Sequence, residues 1–418
     1  MVDVSNALPY GKMRRYLAVM GPGLVVMLAD TDAGSVITAA QSGAGWGYRL
    51  LWLQAALIPV LYVVQELTVR LGVVTGQSHA HLIEKHFGKA WAWFSVLTLL
   101  VCCMGALLTE LAGLAGVGAL LGLSAPVTTA LVVGALLAMA YTHSYLTVER
   151  IAMAIGAFEL VFLAVVFFAH PDPQTVAAQS LDIPLGDPKY LYLVAANIGA
   201  VIMPWMVFFQ QSAVVEKKLS VDDLPAARAD TMVGAILTQV IMASVLVATA
   251  ATLGGAAALD GASHDGDLDT VQQIAEAIIP FLGNVVGKLL FGLGMAGAAL
   301  VAAIVVTLTA ARTLSEMLGV KCSLDDDPRD APWFYGAYTL TLVVCGLVVA
   351  SGVNLVTLSV GVQVMNALLL PPVLGFLYLL ARRLPEPYRL QGVYARVCLG
   401  IIMISAGFGA YSGVSGLL

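Results

Sequence analysis

GPGLVVMLADTDAGSVITAAQSGAG, residues 21–45, is long enough to cross a bilayer and is interrupted in its middle. Two aspartates, Asp30 and Asp32, stand there among Thr31, Ala33, Gly34 and Ser35. A continuous membrane helix has no use for charge or for glycine at that depth. A second stretch, YLVAANIGAVIMPWMVFFQQSA at 192–213, is interrupted in the same way by Asn197, Gly199 and Pro204. Proline cannot donate to the residue four before it, so Pro204 frees the carbonyl of Ala200. Unwound backbone is tolerated inside a membrane only where it lines a cavity, and paired broken helices mark the substrate site of secondary transporters.

The rest of the chain agrees with that environment. Of 418 residues, 60% are hydrophobic and 11% charged, and the mean hydropathy is +0.90. A soluble chain carries about 25% charged residues. The net charge of −6 gives no reason to expect nucleic acid. Cys102, Cys103, Cys322, Cys345 and Cys398 show no CxxC spacing and lie mostly in apolar runs, so we expect reduced, packed thiols. We expect no cleaved leader, since a short polar start runs into the first apolar span. The short connecting loops fit a prokaryotic protein.

Runs of about 20 apolar residues predict eleven membrane helices, near 16–41, 48–72, 92–122, 127–142, 150–169, 189–215, 230–254, 276–311, 334–351, 355–381 and 394–416. With the N-terminus in the cytoplasm, seventeen of the twenty Lys and Arg residues fall inside, and only Arg49, Lys189 and Lys288 fall outside. The C-terminus is then extracytoplasmic, and the multi-pass chain belongs in the inner (plasma) membrane. The segment 255–275, with Asp260, Asp265, Asp267 and Asp269, falls outside as a solvated acidic loop. Breaks in helices one and six predict an all-α polytopic membrane protein made of one transporter domain, 1–418. Its parts are a first inverted repeat at 16–170, a second at 189–381 and an extra helix at 394–416. This is the five-plus-five arrangement of the LeuT-like folds.

The candidate site lies between the two breaks. No basic residue occupies the middle of any span, so Asp30 and Asp32 have no protein counter-ion, and a cation is the simplest partner. Carboxylate, hydroxyl and free carbonyl oxygens suit a divalent ion, while the thioether of Met203 beside the second break favours a softer one such as manganese. The structural alternatives are a helix cap by Asp32 or Ser35 and core packing by Met203. Gln65, Glu66, Glu159, Gln239, Thr307, Thr309, Gln363 and Asn366 also lie inside spans, where amides and hydroxyls chiefly bridge helices. Gln363 and Asn366, on the tenth helix, are the best secondary candidates. Glu159 is expected to be a gate or a salt-bridge partner.

These residues resemble a known family. GPGLVVMLADTDAGS followed by SGAGWGYRLLW is similar to the first helix and connection of the NRAMP metal-ion transporters, whose break reads Asp-Pro-Gly-Asn. LTVRLGVVTG at 67–76, GAVIMP at 199–204 and, more weakly, FGLGMAG at 291–297 resemble their second, sixth and eighth helices. The resemblance implies that Asp32, Ser35, the Ala200 carbonyl and Met203 are metal ligands and that Gly34 is the glycine of the break. Ala33 replaces the family's proline and Ser35 its asparagine, and Asp30 adds a carboxylate where tyrosine is usual. Trp205 stands in place of one histidine, and Gln210 and Gln211 occupy the region of another. Glu110 keeps one acid of the third helix, where Gly113 replaces a second. The pattern is most like the NRAMP-related branch associated with magnesium and manganese, with weak or no proton coupling by the usual histidine route. The implied function is import of Mg2+ or Mn2+ by alternating access, with the ion as substrate, no cofactor, no enzymatic activity, and a monomer in the bilayer. The other reading open from the residues is a cation-coupled symporter of a small organic solute such as an amino acid.

Overall fold

The computed structural model describes residues 22–141, 145–253, 268, 270–282 and 284–417. Every regular element among them is helical. In chain order these are α1 (Pro22–Asp30), α2 (Ala33–Trp46), α3 (Leu51–Thr75), α4 (His79–Phe87), α5 (Lys89–Leu120) and α6 (Ala125–Ala140). There follow α7 (Tyr145–Gly156), a 3-10 turn at Ala157–Leu160, α8 (Val161–Ala169), α9 (Pro173–Ser180), α10 (Pro188–Val201) and α11 (Pro204–Glu216). After a second 3-10 turn at Val221–Asp223, the last six are α12 (Leu224–Thr252), α13 (Val271–Leu282), α14 (Asn284–Met317), α15 (Pro332–Ala350), α16 (Leu355–Ala381) and α17 (Gly392–Leu417). Lys12, Arg14, Arg15, the acidic residues 260, 265, 267 and 269, and His143 and His264 lie outside the described residues.

Among the described residues, eight helices are long and apolar enough to cross a membrane, with α10 and α11 taken together. The pair α1 and α2, bent by 48°, makes a ninth. Two further expected spans fall short of that standard for visible reasons. α6 is apolar but has only 16 residues. The expected fifth helix is divided into α7, the 3-10 turn and α8. The hydropathy reading also passed over the short helices α4 and α9, because neither carries a long apolar run. Each is started by a side-chain cap: Ser78 Oγ accepts from His81 N, and Asp172 Oδ2 accepts from Thr175 N at 2.9 Å.

Large apolar side chains face outward along the bundle, among them Leu97 and Val101 on α5, Leu340 and Leu347 on α15, and Met403 and Ile404 on α17. Such a belt suits contact with lipid chains. Inside, close backbone approach depends on small residues. A Cβ at Gly199 would collide with the carbonyl of Gln363, so α10 and α16 can meet only with glycine there. Gly34 stands in the same relation to the Gln363 amide. These contacts bring α16 against both interruptions.

One ionic cluster ties three helices together at one end. Glu66 on α3 is almost wholly buried and accepts from Arg70 Nη2 at 2.7 and 2.8 Å. Arg228 on α12 donates to Glu66 Oε1 at 2.7 Å, and Tyr394 on α17 donates to Oε2 at 3.2 Å. Arg70 also lies over the Tyr394 ring, 5.4 Å from its centroid. This meets the structural expectation for Glu66. Removing one member of a buried charge cluster leaves the others uncompensated, at a cost of about 3–5 kcal/mol. Glu66→Ala should therefore lower the melting temperature of the detergent-purified protein by several degrees. An unchanged melting curve would contradict this role.

Candidate metal centre

The first interruption is built by its own carboxylates. The chain leaves helical geometry at Thr31 and Asp32, and Asp32 is extended, with φ −73° and ψ 173°. Asp32 Oδ1 accepts from the Ser35 amide at 2.6 Å, which caps α2. A second carboxylate joins it: Glu110 Oε2, on α5, accepts from the Ala33 amide at 3.0 Å. The Thr109 hydroxyl donates to Glu110 Oε1 at 3.1 Å. A helix N-terminus has free amides and a partial positive charge, so negative groups gather there at modest cost. Ala33 has the N–H that a proline would lack, and Glu110 takes it.

The other Asp32 oxygen is uncommitted. Asp32 is fully buried, and Oδ2 has no hydrogen-bond partner. Both oxygens of Asp30, at the end of α1, are also buried and without a partner. None of the salt bridges among the described residues involves Asp30, Asp32 or Glu110.

The second interruption leaves Ile202 and Met203 outside helical geometry, with φ/ψ of −125°/83° and −90°/136°. Pro204 then opens α11 as its first residue, where the missing N–H costs nothing. The two breaks touch. Ser35 Oγ donates to the Ala200 carbonyl at 3.1 Å, the carbonyl that Pro204 leaves free. Beyond them, Asn197 Nδ2 donates to Ser42 Oγ at 2.8 Å and Gln54 Nε2 donates to Asn197 Oδ1 at 2.7 Å. These bonds fasten α2, α3 and α10 together. Met203 is fully buried, and its sulfur accepts from Trp205 Nε1 at 3.2 Å.

The tenth expected span, α16, brings both of its candidates to this place. The Gln363 amide packs against Gly34, and its Nε2 has no hydrogen-bond partner. Asn366 Nδ2 donates to Gln363 Oε1 at 2.9 Å, and Cys102 Sγ donates to Asn366 Oδ1 at 3.0 Å. Cys102 was expected only as a packed thiol. Cys102 is free and buried in keeping with that, while its contact with Asn366 and the role of Thr109 were not foreseen, because a thiol or hydroxyl in an apolar run carries no signal of which face it occupies. Among the described residues, no three His, Cys, Asp or Glu side chains converge closely enough to hold a metal by themselves. The donors that do assemble are of mixed type: carboxylate, hydroxyl, carbonyl, amide and thioether.

Glu159 makes no salt bridge among the described residues, contrary to one of its two expected roles. It lies in the 3-10 turn, fully buried, with both oxygens lacking a partner. Gln65 and Gln239 are likewise buried without a partner. His79 begins α4 and packs on α11. Its Nδ1 lies 2.9 Å from Gln211 Oε1, and its ring meets Phe208 edge-on at 4.9 Å. Gln211 Nε2 donates to the Gln77 carbonyl at 2.8 Å, so Oε1 must face the histidine and His79 Nδ1 carries the proton.

Comparison with known proteins follows the same lines. The model of the family described as natural resistance-associated macrophage protein-like (Nramp) matches residues 23–415. A curated relative, the divalent metal cation transporter MntH of Chromohalobacter salexigens, is 28% identical over 318 residues, which are 72% of this chain and 70% of that protein. Among solved structures, a manganese transporter of Eremococcus coleocola, in complex with an aromatic bis-isothiourea compound, superposes with a TM-score of 0.77. It is 19% identical, and the match covers 100% of this chain and 90% of that one. MhsT in complex with L-phenylalanine gives a TM-score of 0.63 at 14% identity, over 95% of this chain and 98% of that one. At these identities the structures show a shared fold.

Burial of His79, in the short helix between two spans, holds its imidazole at a pKa of about 4, against 6.5 ordinarily, and the Gln211 bond opposes this only in part. The folded protein keeps the ring neutral while the unfolded chain protonates it. Stability is therefore lost as pH falls from about 6.5 towards 4, by an amount on the order of 3 kcal/mol. His79→Gln should flatten the fall in melting temperature between pH 7 and pH 5 relative to the wild type. An equal fall in both proteins would show that His79 is not buried and neutral.

Proposed function

This chain belongs to the Nramp family, and from that premise we propose that it is a multi-pass secondary transporter that imports divalent metal cations by alternating access. The cation is Mg2+ or Mn2+. One observation carries the reading: Asp32 presents a buried, uncommitted oxygen where two helix interruptions meet, with no basic partner among the described residues. An isolated carboxylate in that setting costs several kcal/mol. A doubly charged ion removes that cost, and the ion is attracted to the site for the same reason.

Asp32, Ser35, the Ala200 carbonyl and Met203 form the proposed ligand set, with Asp30 adding charge beside it. Ser35 and the Ala200 carbonyl already share a hydrogen bond, so ion entry exchanges a hydroxyl–carbonyl bond for two oxygen–metal bonds. Gly34 allows the close approach of Gln363. Gln363 and Asn366 can orient water on the ion, Glu110 holds the start of α2, and Trp205 fixes the Met203 sulfur. A short serine and additional carboxylate suit a partly hydrated ion such as Mg2+. The thioether suits Mn2+.

The proposed architecture has eleven spans, two inverted repeats at 16–170 and 189–381 and a final helix at 394–416, with the N-terminus in the cytoplasm. Proton coupling is weak in this proposal, because Trp205, Gln210 and Gln211 cannot titrate near neutral pH. The L-phenylalanine complex of MhsT shows that this fold also holds amino acids. Here the buried carboxylates would repel a substrate carboxylate, and the metal reading is the better supported.

Asp32→Ala should reduce Mn2+ and Mg2+ uptake into proteoliposomes by at least about a hundredfold, equivalent to about 2.8 kcal/mol. Met203→Ala should weaken Mn2+ roughly tenfold, about 1.4 kcal/mol, with Mg2+ little changed. Radiotracer uptake under an imposed membrane potential measures both. Uptake by Asp32→Ala at the wild-type rate would exclude the proposed site.

A further inference from the structure

Gln363 presents one end of its amide to the first break, and that end is chosen from outside the site. A Cβ at Gly34 would overlap Gln363 Nε2 and would lie 3.2 Å from Thr109 Oγ1 and 3.4 Å from Asp32 Oδ1. The amide nitrogen therefore shares one small space with the carboxylate that caps α2. Nε2 has no hydrogen-bond partner among the described residues. The other end of the amide is committed: Oε1 accepts from Asn366 Nδ2 at 2.9 Å, one turn along α16. Asn366 Oδ1 in turn accepts from Cys102 Sγ, on α5, at 3.0 Å. All three side chains are fully buried.

This relay has a direction. Each amide has a carbonyl acceptor at one end and an N–H2 donor at the other, so fixing the first amide fixes the second. A thiol carries one proton, and its sulfur is a weak acceptor. Asn366 therefore turns its carbonyl to Cys102, and its N–H2 is left for the Gln363 carbonyl. Gln363 then has only its N–H2 end for the break. Reversing the relay would set an amide donor against sulfur, in an interior where poorly satisfied polar groups are costly.

The chemistry at the break follows from that direction. An N–H2 group cannot ligate a cation, whereas an amide carbonyl suits Mg2+ and Mn2+. We propose that Cys102 is a positioning residue that sets ion preference: through Asn366 it holds the donor end of Gln363 towards the break, so that the ion keeps water on this side. Mg2+ dehydrates reluctantly and keeps several waters, so it loses least from the missing ligand. The thioether of Met203 pulls towards Mn2+, and the relay opposes it. This role rests on the reading of the chain as a divalent-cation carrier and deepens it, by naming what biases the site towards a partly hydrated ion.

The test compares affinities and reads the thiol directly. Mn2+ is titrated into the full-length purified protein, free Mn2+ is followed by its electron paramagnetic resonance signal, and Mg2+ is added as competitor. Cys102→Ala removes the proton donor and frees both amides to turn, so the preference for Mg2+ relative to Mn2+ should fall by about tenfold. Cys102→Ser keeps a donor in place and should retain most of the wild-type ratio. Infrared spectra give the second reading. The S–H stretching band that Cys102→Ser lacks should lie below the frequency of an unbonded thiol, and should move up in Asn366→Leu. Melting curves confirm that each variant is folded. An unchanged ratio in Cys102→Ala, an equal fall in Cys102→Ser, or an S–H band that Asn366→Leu leaves in place would overturn the relay while leaving the proposed transport site intact. Binding of neither ion by the wild type would overturn both.

Discussion

Carboxylates held in an apolar interior without basic partners are the constraint from which the rest of this structure follows. Asp32 and Glu110 reduce their cost by taking the free amides at the start of α2. That arrangement requires a helix start in mid-membrane, and the chain supplies one by unwinding at Thr31 and Asp32. The same interior holds charge differently at Glu66, where Arg70 and Arg228 are at hand. The contrast separates two uses of buried acid. One cluster is closed by protein cations and fastens helices. The other is left open, and is suited to a mobile cation.

The second interruption has meaning only in relation to the first. Pro204 frees a carbonyl, and Ser35 reaches across to it. The single hydroxyl–carbonyl bond sets the spacing between the breaks, and the Asn197, Ser42 and Gln54 contacts hold α2, α3 and α10 in register beyond it. Gly34 and Gly199 let α16 close the remaining side. Backbone therefore surrounds a small set of donors, among which the Asp30 oxygens, Asp32 Oδ2 and Gln363 Nε2 have no hydrogen-bond partner. On the proposed reading this is how a transport site differs from a structural metal site: its donors are mixed and incompletely satisfied, so that an ion could leave.

Much of this was legible in the chain, for reasons that differ by residue. Asp30, Asp32 and Pro204 violate the rules of an apolar helix, so sequence alone exposes the interruptions. Asp32 as a cap and the freed Ala200 carbonyl follow from helix geometry. Gln363 and Asn366 were placed by topology, since only the fold says which helix lies beside the breaks. Other features depend on contacts between distant segments. The pairing of Glu110 with the Ala33 amide, 77 residues apart, needs the packing of α5 against α2. His79 lies in a polar connection, and nothing local shows that it is buried on Gln211, 132 residues later. The 3-10 turn at Ala157–Leu160 has no proline to announce it, and hydropathy carried one helix through it.

Anomalous diffraction from crystals of the protein soaked in Mn2+ tests the central claim most directly. A strong anomalous peak within bonding distance of Asp32 Oδ2, between the Ala200 carbonyl and the Met203 sulfur, is the predicted result. Manganese found only on surface carboxylates, with Asp32 turned onto a lysine or arginine, would contradict the account.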